Sequence, residues 1–429
     1  MKRVFLSVAL GLLSACASGS PPAPAPTPTT KTTTPPVTTT EPVAAKDAGT
    51  EPHVSEPVAT PSDGNAFTLK LYGEAARTPG NMMLSGTSLR VALAAALLGA
   101  RGDTAAEMAS VLDLPRDPAA VADAIRSERA GWEGAKSKEY GADLVVATDL
   151  WSEKAATLEP TFLELADKAF GAKTEPMDFS HSADAARKTI NAKIASLTAN
   201  KITDLLAPGS VDARTRMVVT NAVYFRGRWV DAFAKDATKN EPFHLDAKKT
   251  SNVPMMHATA AHRFAELPNA NVVEMEYAGT SVRMLVLVPR EPTTLASLEG
   301  DLGKTLDGLS EKLSRQRVAI TMPRFTFKWG GSMNARLSAL GMKTAFGSKA
   351  DFSGVSKQEP LQLSEVTART WVSVDEIGTE AAAASAAVMR ATSMVTGPAA
   401  ELKADRPFLF VIRDEKTKRI LFAGRVTAP

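Results

Sequence analysis

Few residues of this chain are of the kinds that perform chemistry. Its five histidines, His53, His181, His244, His257 and His262, show no metal-ligand spacing, and His257 and His262, five apart, suit neither one helix face nor one strand face. Cys16 is the only cysteine, so the body of the chain has no disulfide, no thiol nucleophile and no cysteine metal ligand. No Gly-x-Ser-x-Gly turn presents a serine nucleophile, and no glycine-rich loop is built to cradle phosphate. No catalytic residue, metal or cofactor is therefore expected, and neither is an enzyme. Two stretches carry the remaining information: one ends at Cys16, the other runs from Glu376 to Val388.

Cys16 closes a targeting segment. Lys2 and Arg3 precede an apolar run, Val4 to Leu13, that is too short to span a bilayer. The ending Leu13-Ser14-Ala15-Cys16 resembles a bacterial lipoprotein processing site. That resemblance implies removal of residues 1–15, lipidation of the Cys16 thiol and, since Ala17 rather than Asp follows, an outer-membrane location facing the periplasm or the exterior. A plain secretory signal with an incidental cysteine is the alternative. Residues 16–62 are rich in Pro, Thr and Ala and hold too little apolar surface to offset the entropy of ordering. They read as a tether reaching at most roughly 140 Å at about 3.1 Å per residue.

The second stretch is Glu376-Ile377-Gly378-Thr379-Glu380-Ala381-Ala382-Ala383-Ala384-Ser385-Ala386-Ala387-Val388. From Thr379, the alternate residues Thr379, Ala381, Ala383, Ser385 and Ala387 are all small and uncharged, and on a strand they would share one face. Alanine's helix propensity argues for a helix instead. Local sequence leaves that conflict open.

These stretches belong to a chain of 429 residues with 44% hydrophobic and 23% charged residues, values ordinary for a globular protein. A net charge of only +3 and the lack of a nucleic-acid motif argue against a polyanion partner. No second linker follows the tether, so residues 63–429 read as one domain. Helices are expected first, at Thr87–Leu98, which is almost free of charge and so buried, and from a capping box with Thr104 as N-cap and Glu107 three residues on. Others are expected around Pro118–Trp132, Pro160–Phe170 and Ala183–Ala199. Strands are expected at Asp143–Trp151, Met217–Phe225, Val272–Tyr277, Val282–Val288, Val318–Phe327, Trp371–Val374, Phe408–Ile412 and Ile420–Val426. The run Arg283 to Val288 is apolar enough for a central strand. The order implies an α+β domain with mostly antiparallel sheets.

Over essentially everything after the tether, the chain resembles a serpin. The resemblance rests on Asn81-Met82-Met83-Leu84-Ser85 leading into Thr87, Asn221-Ala222-Val223-Tyr224-Phe225-Arg226-Gly227-Arg228-Trp229, Ala350-Asp351-Phe352-Ser353-Gly354, the hinge Gly378 to Ala384, Ala404-Asp405-Arg406-Pro407-Phe408-Leu409-Phe410 and Ile420 to Val426, all in family order. It implies a fold of three β-sheets and about eight or nine helices, with an exposed reactive loop at about 376–403. It also implies suicide inhibition of a serine protease by a monomer, without cofactor. The protease cleaves a bait bond, and the loop then enters the main sheet as a new strand before the acyl-enzyme is hydrolysed. A non-inhibitory serpin serving as a binding or chaperone-like module is the alternative; such members tend to carry bulky or charged inward hinge residues, which this chain lacks.

The same resemblance assigns sites. Glu376, Gly378, Thr379, Glu380, Ala381, Ala382, Ala383, Ala384 and Ser385 form the hinge and inserting segment. Counting sixteen positions from Glu376 puts the bait bond between Thr392 and Ser393, with Met389, Arg390 and Met394 as alternatives. Thr392 suits an elastase-like target, and the alternatives a trypsin- or chymotrypsin-like one. Ser85, Ser88, Asn221 and Trp229 are implied to govern opening of the sheet. The family's usual histidine in that gate is replaced by Ala368, so Asn221 and Ser85 must find other partners; Ser85-Gly86 stands where Ser-Pro is usual and is expected to loosen the helix entry.

Overall fold

Asn65 to Ala76 forms a helix that the sequence reading did not mark, and it is the first element described. The computed structural model describes residues 64–139, 142–170, 175–358, 360–379 and 398–429, all within one unit spanning Val58–Pro429. Cys16, the tether, Glu380 to Ser385, Met389, Arg390, Thr392, Ser393 and Met394 lie outside the described residues.

Ten α-helices are described: α1 Asn65–Ala76, α2 Gly86–Leu97, α3 Gly102–Leu112, α4 Pro118–Ala130, α5 Pro160–Phe170, α6 Phe179–Leu197, α7 Leu295–Gly300, α8 Leu302–Leu306, α9 Leu309–Lys312 and α10 Asn334–Ala339. Every residue of α2 is buried, as its charge-poor sequence requires. Gly86 does not loosen its entry: a Cβ there would come within 2.4 Å of Thr68 Oγ1, so glycine lets α1 and α2 touch. The capping box at Thr104 is not formed, because α3 starts three residues earlier, on Arg101. Thr104 Oγ1 accepts from the Asp351 amide at 2.9 Å, and the Glu107 carboxylate accepts from the amides of Lys343 (2.8 Å) and Thr344 (2.7 Å). Helix α6 begins four residues before the expected Ala183, since Asp178 accepts from the His181 amide and Glu153 from the amides of Phe179 and Ser180.

Fifteen strands follow the expected segments and add to them: β1 Met82–Leu84, β2 Asp143–Glu153, β3 Glu175–Met177, β4 Met217–Arg228, β5 Lys239–His244, β6 Thr250–Glu266, β7 Ala270–Glu276, β8 Val282–Pro289, β9 Ser314–Pro323, β10 Phe325–Ser332, β11 Glu365–Val374, β12 Gly378–Thr379, β13 Ala400–Lys403, β14 Phe408–Asp414 and β15 Ile420–Val426. The single expected strand Val318–Phe327 is two, broken at Arg324, and its halves lie in different sheets. The apolar alternation falls on 318, 320 and 322 and then on 325 and 327, so it changes phase at Pro323–Arg324, a break that the run of strand-forming residues covers. One sheet has the order β10-β11-β12-β4-β2-β3, and the other β1-β15-β14-β8-β7-β6-β9-β13 with β5 on β6. Of the three expected sheets, two are continuous among the described residues, because the 17-residue β6 pairs with β9 over Met255–Phe264 and with β7 over Arg263–Glu266. Strand β8 is central and buried, between β7 and β14.

The six-stranded sheet separates two apolar clusters. One face carries Val219, Val223, Phe225, Val366 and Val372 and joins the main core with α2. The other carries Val218 and Ala222 against Phe179, Ile190 and Ile194 of α6. This alternation along β4 is what places the residues of the candidate site.

Candidate functional site: the hinge and the β4–β11 seam

Strands β4 and β11 run parallel and pair directly over seven positions, from Val218 with Glu365 to Tyr224 with Trp371. Above Tyr224 they diverge, and β12 fills the gap. Gly378 pairs with Arg228, and Thr379 pairs with Gly227 on one side and Val374 on the other, antiparallel to both strands. Within the expected loop 376–403, Gly378–Thr379 and Ala400–Lys403 are strands, and residues 380–397 lie outside the described residues. Gly378 is obligatory here: a Cβ would come within 2.0 Å of the Gly227 carbonyl oxygen.

The turn into β12 is held at every residue. Asp375 Oδ1 accepts from the amides of Ile377 (2.8 Å) and Gly378 (3.1 Å). The Glu376 carbonyl accepts from the Phe233 amide at 2.9 Å, and the Ile377 carbonyl from the Trp229 amide at 2.8 Å. Glu376 is buried, with Oε1 accepting from the Thr238 hydroxyl at 2.7 Å and 3.6 Å from Arg324 Nη1. Trp229 Nε1 donates to the Asp375 carbonyl at 3.1 Å.

Trp229 stacks on Tyr277 with centroids 4.4 Å apart, and Phe225 meets Tyr277 edge-on at 4.8 Å. Tyr277 and the buried Thr379 share a hydroxyl–hydroxyl hydrogen bond of 2.6 Å. Burial pushes the Tyr277 phenol well up, so it stays protonated. The family resemblance marked Trp229 as a residue governing sheet opening but gave no role to Tyr277, Thr238, Arg324 or Gly227. Gly227 stood within a quoted segment and makes the contact possible, since a Cβ there would lie 2.8 Å from both Phe225 Cζ and Tyr277 Cδ1. Nothing near Tyr277 in the sequence marks it. Tyr277→Phe is expected to lower the unfolding free energy of the uncleaved protein, read from urea denaturation, by about 1–2 kcal/mol, because the buried Thr379 hydroxyl loses its partner. In a Thr379→Val background the same change should cost little.

Lower on the seam, Asn221 pairs with Ala368 across β4 and β11. Its Oδ1 accepts from Ser88 Oγ at 3.1 Å, and its Nδ2 donates to Thr148 Oγ1 at 2.9 Å. Ser85 stays on the α2 terminus, its hydroxyl accepting from the Ser88 amide at 3.3 Å. With alanine at 368, Ser88 and Thr148 satisfy the carboxamide. Ser85, Ser88, Asn221 and Trp229 therefore fall in two places, the first three under the seam and the last at its open end.

His262 of β6, paired with Gln316 of β9, is buried. Burial holds its imidazole below the ordinary value of 6.5; Asp231 and Glu276 pull it up and Arg315 lowers it further. A base whose folded value is depressed takes protons more readily when unfolded. Its contribution is therefore neutral above about pH 6.5 and destabilising below, by at most about 1.4 kcal/mol per pH unit. His262→Gln should flatten the fall in denaturant midpoint between pH 7.5 and 5.5. Among the described residues no group of His, Cys, Asp and Glu is arranged to hold a metal.

A family model described as serpin (serine protease inhibitor) matches residues 62–429. The leukocyte elastase inhibitor of Bos taurus is 36% identical over 363 residues, covering 82% of this chain and 93% of that protein. The crystal structure of Serpin48, a highly specific serpin in the insect Tenebrio molitor, is similar with a TM-score of 0.75 and 29% identity, over 86% of this chain and 98% of that one. Uncleaved ovalbumin is similar with a TM-score of 0.74 and 26% identity, over 86% and 99%.

Proposed function

This chain belongs to the serpin family, and from that premise we propose that it inhibits serine endopeptidases by inserting its cleaved reactive loop between β4 and β11. The observation that carries this reading is the position of Gly378–Thr379, already seated as β12 at the open end of a seam closed below by direct pairing. The protease serine attacks the carbonyl of the bait residue, taken as Thr392; the amine of Ser393 leaves with the proton and an ester to the enzyme remains. Extension of β12 down the seam then competes with hydrolysis of that ester.

Continuing the register of β12 tests the loop residue by residue. Ala381 would fall between Phe225 and Val372, Ala383 between Val223 and Thr370, Ser385 between Asn221 and Ala368, and Ala387 between Val219 and Val366. All these neighbours face the main core, where a charge would be prohibitive and small residues fit. Ser385, the only polar residue among the four, arrives beside the Asn221 carboxamide. Glu380 would fall on the other face, beside the exposed Arg226. Because β4 and β11 are parallel to each other, the inserted strand is antiparallel to both, the more stable pairing per residue. Around a dozen new ladder bonds at about 1 kcal/mol each supply a driving force on the order of 10 kcal/mol. A segment of about fourteen residues would span roughly 45 Å at about 3.3 Å per residue.

Thr392 and the elastase inhibitors among the relatives support an elastase-like target. Incubation with elastase-, subtilisin-, chymotrypsin- and trypsin-like enzymes is the test. At least one should give a complex that survives boiling in SDS, and mass spectrometry of it would read the bait bond. Clean cleavage by all of them without a complex would leave a non-inhibitory serpin. We further propose that residues 1–15 are removed and that Cys16 is lipidated, so that residues 16–62 tether a monomeric domain, 63–429, to the outer membrane. Cys16→Ser should then release the protein from the membrane fraction.

A further inference from the structure

A cavity of about 450 Å³ opens beside the hinge turn, within the roughly 300–1,000 Å³ of small-ligand sites. Three cations line it: Lys235 and Lys239, both exposed, and the half-exposed Arg324. Among the described residues neither lysine has an ion-pair partner. Arg324 is 3.6 Å from Glu376, longer than the 2.7–2.9 Å or so of a charge-assisted hydrogen bond. Asp375 and Glu376 offset two of the three charges, so the lining keeps one cation in excess, and both carboxylates are engaged away from the lysines. Asp375 is turned onto the amides of Ile377 and Gly378, and Glu376 is buried with Oε1 taken by Thr238. Asn240 adds a neutral polar residue to the lining.

We infer that this cavity binds a compact multivalent oxyanion of the pyrophosphate type, held by Lys235, Lys239 and Arg324, and that the anion competes with the Glu376 carboxylate for Arg324. Two unpaired ammonium groups and a loosely paired guanidinium around one cavity attract a divalent or trivalent anion far more than chloride. Glu376 anchors the hinge turn through Thr238, so occupancy is coupled to the element that precedes β12. That coupling bears on inhibition only through the proposed function; the binding itself does not depend on it.

The test is isothermal titration of the intact, uncleaved protein with sodium pyrophosphate at ionic strength matched with chloride. One saturable site is expected. The double substitution Lys235→Gln/Lys239→Gln, at exposed positions, should weaken binding at least tenfold, and Glu376→Gln, which removes the competing carboxylate, should tighten it several-fold. No saturable heat, or an affinity unchanged by the lysine substitutions, overturns the site; an affinity unchanged by Glu376→Gln overturns the competition. No protease enters the measurement, so its failure is distinguishable from failure of the inhibitor reading.

Discussion

Thr379→Arg is expected to abolish protease trapping while leaving the loop a good substrate. Thr379 is 1% exposed and faces Tyr277, with Gly227 and Val374 as its strand neighbours. A guanidinium there has no partner to replace water, and burying it unpaired costs several kcal/mol. The arginine must either expel β12 from the sheet or stall its extension. Insertion and hydrolysis of the ester compete, and each 1.36 kcal/mol or so added to the insertion barrier slows it about tenfold. A penalty of three such steps, a few kcal/mol, therefore hands the race to hydrolysis. Titrating a fixed amount of protease with the variant measures this as a rise in inhibitor consumed per enzyme and loss of the SDS-stable band. Thr379→Val, apolar and nearly isosteric, should keep trapping. Stoichiometric inhibition by the arginine variant would refute insertion at this seam.

The second large effect is on stability. Cutting the loop with a protease that is not trapped should raise the melting temperature sharply, because the freed strand can fill the seam. At about 2.1 cal/mol/K per residue over roughly 365 residues, a gain on the order of 10 kcal/mol corresponds to a rise of roughly 10–15 °C. The seam now holds seven parallel pairs, and insertion replaces that single ladder with two antiparallel ones. Calorimetry before and after cleavage checks it, and an unchanged transition means that the strand did not enter. Ser385→Arg in the same experiment should suppress the rise, since its side chain would meet Ala368 and Asn221 in the core.

Much of this was legible in the sequence because it is local. β-Branched and aromatic residues over Met217–Phe225 and Ile420–Val426 place strands, and Thr87–Leu98, almost free of charge, places a buried helix. The reading failed where local pattern and tertiary partner disagree. Thr104 and Glu107 looked like a cap, but Asp351, Lys343 and Thr344, more than 200 residues away, engage them. Val318–Phe327 looked like one strand by composition; Pro323-Arg324 and the phase change of the apolar residues mark the break locally, but which sheet each half joins is set by distant strands.

The sequence by itself determined what may enter the sheet: Thr379 and the alternate small residues after it exclude charge and bulk from one face, whatever conformation the segment adopts in isolation. Only the tertiary structure decided where that face goes. Register between β12, β4 and β11, the 2.6 Å bond from Tyr277 across 102 positions and the Ser88–Asn221 bond across 133 are set by sheet pairing, which sequence spacing does not encode. The conflict between alanine's helix propensity and the strand pattern turns, for the same reason, on the seam beside it. Propensity is worth tenths of a kcal/mol per residue, whereas a strand between two waiting edges gains a hydrogen bond on each side.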